Sequence, residues 1–253
     1  MRFIKMQAQG NDFIILDDAT LPYHLDLSSY IKRICDRHFG IGADGLVVLS
    51  YLTKYDAEMR IFNADGSEAE MCGSALRCVT TFLKESSKES IFKIKTKAGI
   101  KTGYSLDEVT AKVNIGKVKF KRENPITICD YTGYYVSAGN PHLVIFTEDT
   151  AIIDALGKRI STDPIFKNGV NVEFVKIISP KEVEVRVWER GVGETLACGT
   201  GASAVQFVGK EQNLLKGSLL LHFPGGDLKT NIQNNYIFLT GRTEKVFLGE
   251  YFK

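Results

Sequence analysis

Short runs of alternating or β-branched apolar residues predict strands along most of the chain. NDFIILDD at 11–18 and HLVIFTED at 142–149 are such runs, and each ends in acidic residues. EMRIFNADGS at 58–67 and EVRVWERGVGE at 184–194 alternate like half-buried strands and then reach turn residues. We predict further strands in the segments SIFKIKT, VTAKVNIG, SLLLHF and YIFLTG, with PGGD as a turn between the last two.

The segment at 26–40 has the periodicity of a helix instead. Asp26 or Ser28 can cap its N-terminus, apolar positions continue at helical spacing as far as His38, and Gly40 ends the pattern. The sequence therefore predicts one amphipathic helix that ends at this glycine.

Two more helices are predicted directly after Cys-Gly dipeptides. The apolar spacing changes from two towards 3.6 after Cys72-Gly73 and again after Cys198-Gly199. The side chains that follow are small, which suits a helix enclosed by a curled sheet.

The second half of the chain repeats the first at a shift of 126 residues. The matching features, in the same order in both halves, are KRI at 32–34 and 158–160, EMRIF and EVRVW, Glu68 and Glu194, and CGSA and CGTG. With three more residues of shift, GNDFIIL falls on GNPHLVI. Chance similarity is the alternative, but the common order favours an ancient duplication that gave two similar domains.

These patterns predict an α/β fold of the α+β type. We expect two pseudo-symmetric domains, each a curled mixed or antiparallel sheet around a central helix. The charged stretch at 116–124 marks the boundary, so the first domain spans 1–118, joined by a C-terminal strand at about 245–253, and the second spans 119–244.

Composition restricts the partners. With 253 residues, 44% of them hydrophobic, the chain can bury a substantial core. Its 32 basic and 30 acidic residues nearly cancel, unlike the charge of a nucleic-acid binder. No segment approaches the ~20 apolar residues of a membrane helix, and the N-terminus lacks a signal-peptide core. We therefore expect a cytoplasmic protein with a small-molecule partner, and no nucleic acid or membrane.

The cysteines argue against a disulfide scaffold, a zinc cluster or a thioredoxin-like pair. Their number is odd, their density is low, and no C-x-x-C occurs. We expect reduced thiols and no metal site, with Cys35, Cys78 and Cys129 as small core residues.

The other two cysteines have the position of reactive thiols. At a helix start, Cys72 and Cys198 would lie beside free backbone N–H groups and the positive end of the helix dipole, about half a unit charge. This position should lower the pKa of each thiol, and the same N–H groups attract anions. One such thiol per domain suggests a two-base racemase or epimerase, in which one thiolate removes an α-proton and the other thiol returns one. Such chemistry requires no cofactor.

Several motifs resemble those of diaminopimelate epimerases over nearly the whole chain. They are NADGSEAEMCGSALR at 63–77, AGNPH at 138–142, GVNVEF at 169–174 and ERGVGETLACGTGASA at 189–204, with KMQAQGNDF and RHFGIGADG upstream. The resemblance implies interconversion of LL- and meso-2,6-diaminopimelate, in lysine and peptidoglycan precursor biosynthesis, by a homodimer without a cofactor.

The resemblance also assigns roles to individual residues. It implies that Cys72 and Cys198 are the acid/base pair. The backbone that would hold the reacting carboxylate belongs to Gly73, Ser74, Gly199 and Thr200. The side chains at the reacting end would be Asn11 and Glu189, and those at the distal end Asn63, Asn140, Asn171 and Arg190.

Some positions depart from the family pattern. Gly73-Ser74-Ala75 replaces the usual Gly-Asn-Gly or Gly-Asn-Ala, and Gly45 stands where many members have glutamine. Gln7 and Ala8 replace a histidine and a glycine. We hypothesise a less discriminating pocket that also racemises glutamate, with strict specificity through compensating contacts as the alternative.

Two other classes of protein remain compatible with the cysteines. A cysteine hydrolase or acyltransferase would pair one thiol with a histidine such as His142. A redox protein would join Cys72 and Cys198 in a reversible disulfide. The hydrolase would not explain the second Cys-Gly helix start, whereas the redox protein would use both thiols. Exchange of the substrate α-proton with solvent deuterium distinguishes a racemase from both classes.

Overall fold

The computed structural model describes residues 1–21 and 26–252. Internal contacts divide the chain into two units, Met1–Val113 with Gly241–Lys253, and Asn114–Thr240. We describe each unit separately.

Unit 1 is a mixed sheet with two helices. The strands of unit 1 are β1 Arg2–Ala8, β2 Asn11–Asp17, β3 Gly45–Leu52, β4 Tyr55–Asn63, β5 Glu68–Ala69, β6 Ile91–Thr96, β7 Gly99–Ser105 and β8 Thr110–Gly116. Its helices are α1 Leu27–Cys35 and α2 Gly73–Glu85, and a 3-10 turn spans Asp18–Thr20. Strands β2 and β3 are parallel, as are β4 and β6, and the other neighbours in this unit are antiparallel.

Unit 2 has the elements of unit 1 in the same order, preceded by two additional short strands. The strands of unit 2 are β9 Lys119–Phe120, β10 Ile126–Ile128, β11 Tyr131–Ser137, β12 Pro141–Phe146, β13 Asn171–Ser179, β14 Glu182–Glu189, β15 Gly193–Thr195, β16 Leu219–Phe223, β17 Gly226–Gln233 and β18 Tyr236–Arg242. Its helices are α3 Ile153–Ser161 and α4 Gly199–Glu211, after a 3-10 turn at Thr150–Ile152. The last strand, β19 Glu244–Glu250, pairs with β1 of unit 1.

The strand connections of unit 2 copy those of unit 1. Strands β12 and β13 are parallel, as are β14 and β16, at the places where β2–β3 and β4–β6 are parallel in unit 1. The mixed α/β fold predicted from the sequence is confirmed, and the repeated connectivity supports the duplication.

One ion pair is repeated together with the strands. Arg60 Nε lies 2.9 Å from Glu68 Oε1, and Arg186 Nε lies 2.7 Å from Glu194 Oε1. Both pairs link a long strand to the short strand after it, because Phe62 is opposite Glu68 and Trp188 is opposite Glu194. Two of the features that match in the sequence are therefore in contact in each unit.

Successive residues of a strand point to opposite faces of the sheet, and helices pack against these faces. In unit 1, Leu46 and Val48 join the core that Ile31 and Ile34 of α1 form. The residue between them, Val47, is also fully buried but points to the other face of the sheet. Helices α2 and α4 are buried over most of their length, as the small-residue patterns predicted.

Helix α1 begins as predicted but ends earlier. The Asp26 carboxylate accepts a hydrogen bond from the Ser29 backbone, which confirms the N-cap. The prediction that the helix continues to His38 is wrong, because Asp36 accepts from the backbone N–H groups of His38 and Phe39 and closes a turn. Gly40 is needed for a different reason, since a Cβ there would lie 2.2 Å from the Arg33 carbonyl oxygen.

The cysteines expected in the core differ in their surroundings. Cys35 and Cys78 are buried, as predicted. Cys129 is only partly buried, because Cys129 and Asp130 form the two-residue turn between β10 and β11, both with positive φ. Among the described residues, no helix has the length and apolar character needed to cross a membrane.

Candidate active site

Cys72 and Cys198 have the same position in the two units. Each is the N-cap of a 13-residue helix, with φ/ψ of −135°/124° at Cys72 and −131°/116° at Cys198. The backbone N–H groups of the first helical turn have no partner within the helix, so each thiol lies beside a site that attracts anions.

The Cys198 sulfur is surrounded by polar groups of unit 2. Its Sγ accepts a hydrogen bond from the Gly201 backbone at 3.4 Å and lies 3.4 Å from Thr200 Oγ1. The Glu189 carboxylate interacts electrostatically with this thiol. Glu189 in turn accepts a hydrogen bond of 2.6 Å from Thr195 Oγ1.

The prediction of a lowered thiol pKa is wrong for Cys198. Only 6% of this residue is exposed, and burial raises the pKa of its thiol well above the ordinary value. The carboxylates of Glu189 and Glu173 raise this pKa further, and hydrogen bonds from Thr200 and Gly201 oppose the change only in part. Cys198 is therefore a protonated thiol at neutral pH, suited to donate a proton. Burial also raises the pKa of Glu189.

This electrostatic setting predicts how Cys198 reacts with alkylating agents. In a Cys72→Ser variant, we expect the pH midpoint of iodoacetamide alkylation at Cys198 to lie above that of a free cysteine, about 8.5. A second change, Glu189→Gln, should move the midpoint to lower pH because it removes a negative charge beside the sulfur. Mass spectrometry of the Cys198 peptide measures the profile, and a midpoint below that of free cysteine would contradict the burial argument.

In unit 1 the side chain of Asn11 reaches Cys72. Its Nδ2 donates to Cys72 Sγ at 3.9 Å. Asp12, the next residue, and Asp44 each accept a hydrogen bond from the other's backbone N–H, and Arg37 bridges both carboxylates at 2.8 and 2.7 Å. This network fixes the backbone on which Asn11 stands.

The carboxyl group of Asp12 is held in its charged form. Burial alone would raise its pKa, but hydrogen bonds from Arg37 and Lys5 hold the pKa well below its usual range. Asp12, Arg37 and Asp44 lie within the quoted motifs, yet the sequence alone did not single them out. A signal was available, because each of the two upstream motifs combines a basic and an acidic residue.

Ser74 and Gly45 do not widen a pocket in the way the sequence suggested. Ser74 is 3% exposed, and its hydroxyl accepts a hydrogen bond of 3.2 Å from Arg77 Nη2. A Cβ at Gly45 would lie 2.5 Å from the Phe62 carbonyl oxygen, so no side chain fits there unless the backbone moves. Ala75, the third position of this departure, is completely buried.

Arg77 is a buried guanidinium that sequence reasoning missed. It is completely buried and donates to Gln9 Oε1 and to the Arg242 carbonyl oxygen as well as to Ser74. Burial lowers its pKa to about 10, and the guanidinium interacts electrostatically with Cys72. The available signal was that Arg77 is the single charged residue between Gly73 and Leu83 of this helix.

The predicted distal residues take different roles in the structure. Asn63 is exposed and donates to Ser67 Oγ at 3.0 Å within a turn. Asn171 is 4% exposed, and its amide links the Pro141 carbonyl to the Arg190 backbone N–H, at 2.9 Å each. Arg190 donates through Nη1 to the Asn168 carbonyl at 3.0 Å.

Unit 2 also contains a buried polar chain that the sequence did not reveal. Glu173 Oε1 lies 2.6 Å from His142 Nδ1, and His142 Nε2 lies 2.8 Å from Asn140 Oδ1. The signal for Glu173 was an acidic residue inside the otherwise apolar run VEFV at 172–175. In the part of the chain that the structure describes, no His, Cys, Asp and Glu side chains form a group that could hold a metal ion.

Comparison with known proteins agrees with this geometry. The sequence profile of the diaminopimelate epimerase family matches residues 3–121 and 134–246. The diaminopimelate epimerase of Halothermothrix orenii is 42% identical, covering 99% of this chain and 97% of that protein. The diaminopimelate epimerase of Carboxydothermus hydrogenoformans is also 42% identical, covering 100% of both chains.

Solved structures share the fold at low sequence identity. A predicted epimerase from Pseudomonas aeruginosa has a TM-score of 0.75 at 15% identity, covering 100% of this chain and 99% of that one. A hydroxyproline epimerase from Agrobacterium vitis has a TM-score of 0.73 at 15% identity, covering 98% and 90%.

The profile match and the curated relatives, which are epimerases, identify the class of protein as an isomerase of the racemase and epimerase type. Within that class, the profile match and the close relatives are specific. The chain belongs to the diaminopimelate epimerase family.

Proposed function

We propose that this protein interconverts LL- and meso-2,6-diaminopimelate by two-base proton transfer at an α-carbon. The observation that carries the proposal is the pair of cysteines that cap helices α2 and α4 with the same backbone geometry. Membership of the family supplies the substrate.

We propose that the two thiols start in different protonation states. Cys198 is buried beside two carboxylates, which favours the neutral thiol. Cys72 is close to the buried guanidinium of Arg77, which favours a negative charge on the sulfur. In one direction the Cys72 thiolate removes the α-proton and the Cys198 thiol donates a proton to the opposite face. The reverse reaction exchanges these roles.

The carboxylate beside the reacting carbon is the group to stabilise. A turnover of about 10 per second requires a barrier of roughly 16 kcal/mol, although an amino-acid α-proton is very weakly acidic. We propose that the first-turn N–H groups stabilise the charge that develops on this carboxylate, so no cofactor is needed. The residues that supply these groups are Gly73, Ser74, Gly199 and Thr200.

Side chains around the thiols would bind the rest of the substrate. We propose that Asn11 and Glu189 contact the reacting end, since Asn11 donates to Cys72 and the Glu189 carboxylate interacts electrostatically with Cys198. At the distal end, Asn63, Asn140 and Arg190 offer amide and guanidinium donors. Asn171 would act there through the Arg190 backbone, which its carboxamide holds.

Glutamate racemisation is less well supported than strict specificity. The hypothesis of a roomier pocket depended on the small residues at positions 74 and 45. The Ser74 hydroxyl is bonded to Arg77, and Gly45 lies against the Phe62 carbonyl, so neither observation favours extra space. A hydrolase based on His142 has no support either, because both ring nitrogens are bonded to Glu173 and Asn140.

We further propose that the enzyme works as a cytoplasmic homodimer in the synthesis of lysine and of peptidoglycan precursors. Strand β19 exposes Val246, Phe247 and Leu248 by 51%, 45% and 67%, which would suit a contact with a second copy. The two domains would each contribute one catalytic cysteine.

The direct test of the proposed function is an assay of the purified protein with LL-diaminopimelate. We expect the meso isomer to form without added cofactor, in the presence of a metal chelator, and no D-glutamate to form from L-glutamate. Formation of D-glutamate at a comparable rate would support the broader racemase, and absence of any meso product would refute the proposal.

A further inference from the structure

Glu173 is a carboxyl group in the interior of unit 2. The residue is completely buried on strand β13, between Val172 and Phe174 of the hydrophobic core. One of its oxygens, Oε1, lies 2.6 Å from His142 Nδ1. The other, Oε2, has no hydrogen-bond partner among the described residues. A buried carboxylate costs stability unless it is paired, so this position calls for an explanation other than packing.

The repeat shows that the fold does not need a carboxylate here. In unit 1 the corresponding position is Val47, which is completely buried. The registers agree, because Phe13 is opposite Gly45 in unit 1 and His142 is opposite Asn171 in unit 2. Phe13 therefore corresponds to His142, and the apolar pair of unit 1 is replaced by an acid and a base in unit 2.

A second exchange accommodates the carboxylate. A Cβ at Gly201 would lie 2.7 Å from Glu173 Oε1, so helix α4 has room for Glu173 only because residue 201 is glycine. The corresponding residue of α2 is Ala75, which is completely buried. Unit 1 thus combines Val47 with Ala75 at the positions where unit 2 combines Glu173 with Gly201.

The contacts of His142 indicate what the carboxylate does. His142 is completely buried, and its two ring nitrogens face oxygen atoms, those of Glu173 and Asn140. An N–H on each nitrogen beside a carboxylate satisfies both contacts, and so does a carboxylic acid that donates to Nδ1. In both arrangements the Nε2–H group donates to Asn140 Oδ1, which leaves the Nδ2 group of that amide for another acceptor.

We propose that Glu173 is a positioning residue that acts through His142 to orient the Asn140 carboxamide towards the substrate. This inference rests on the proposed function, in which Asn140 binds the distal end of diaminopimelate. Without the carboxylate, the ring would keep one N–H, and the Asn140 amide would turn to donate to the bare nitrogen. Its N–H groups would then no longer face a substrate carboxylate.

The test replaces the buried pair of unit 2 with that of unit 1. The double variant Glu173→Val/Gly201→Ala introduces the side chains of Val47 and Ala75 at the equivalent positions of unit 2, so that the interior of the unit stays filled. Glu173→Gln keeps the shape and removes the charge. Glu184→Gln is the matched control, since this glutamate of the same unit bonds only the Thr150 hydroxyl among the described residues.

We expect both Glu173 variants to fold and to raise the KM for LL-diaminopimelate about tenfold or more. Because the Glu173 carboxylate also raises the pKa of Cys198, kcat is compared at the pH optimum of each variant, where it should change less than KM. The control should behave like the wild type. In ¹⁵N-histidine spectra, assigned with a His142→Gln variant, Nε2 of the wild-type ring should carry a proton at neutral pH, and Nε2 of the Glu173→Gln ring should not. A purely structural role would leave this signature unchanged.

A KM within about threefold of the wild type in both variants would overturn the positioning role. So would a His142 ring in the same protonation state with and without the carboxylate. If the wild-type protein itself fails to epimerise diaminopimelate, the proposed function falls. The ring spectra would then still decide whether Glu173 controls His142.

Discussion

Replacing Cys72 or Cys198 with alanine is expected to lower kcat for epimerisation by at least about 10³-fold, because each variant lacks one of the two proton carriers. Either loss blocks both directions of the reaction, since the residue that accepts a proton in one direction donates it in the other. Serine at either position should be almost as inactive, because a hydroxyl is a much weaker base than a thiolate. The measurement is the initial rate of formation of the meso isomer.

Cys35→Ala is the control for this prediction. Cys35 is a buried thiol of unit 1 on helix α1, and its pKa is raised by burial to about 12. It contacts the core that α1 forms and has no place in the proposed chemistry. Activity retained in Cys72→Ser or Cys198→Ser would contradict the two-base assignment, whereas loss only in the Cys35 variant would indicate a folding defect.

Replacing Arg77 with alanine is expected to lower the free energy of unfolding by about 3 to 5 kcal/mol. The substitution leaves a cavity on helix α2 and removes the donors that satisfy Gln9 Oε1 and the Arg242 carbonyl in the interior of unit 1. It also removes the positive charge close to Cys72, so residual enzyme should have a lower kcat even where it is folded.

Denaturant unfolding followed by circular dichroism measures this loss. Arg60→Ala is the matched control, because Arg60 is an arginine of the same unit whose side chain is 46% exposed and paired with Glu68. Its loss should cost at most about 1 kcal/mol. Equal effects of the two substitutions would contradict the view that burial makes Arg77 important.

Local patterns were sufficient to predict much of the fold. The change of apolar spacing after each Cys-Gly dipeptide located helices α2 and α4, because helix starts and periodicity are properties of a few neighbouring residues. The 126-residue shift predicted the repeat, and the Arg60–Glu68 and Arg186–Glu194 pairs show it in space. The end of α1 was misplaced because the Asp36 side chain competes for the backbone N–H groups.

Properties that depend on burial could not be read from the sequence. The helix dipole predicted a lowered pKa for both thiols, but burial and two carboxylates raise the pKa of Cys198. Likewise, the sequence predicted that Ser74 widens the substrate pocket, but in the structure its hydroxyl accepts a hydrogen bond from Arg77. The sequence did not single out Glu173, although it lies in one of the family motifs. The pairing of the strands shows that its counterpart in unit 1 is Val47.

The most direct test of the two-base reaction is deuterium incorporation from solvent at early conversion. LL-diaminopimelate is incubated with the enzyme in D2O, and substrate and product are separated and analysed by mass spectrometry. Because one cysteine removes the proton and the other delivers a solvent-derived deuteron, the meso product should carry one deuterium while the recovered LL substrate carries almost none. Deuterium entering the recovered substrate as fast as the product would instead indicate a single exchanging base and would contradict the account.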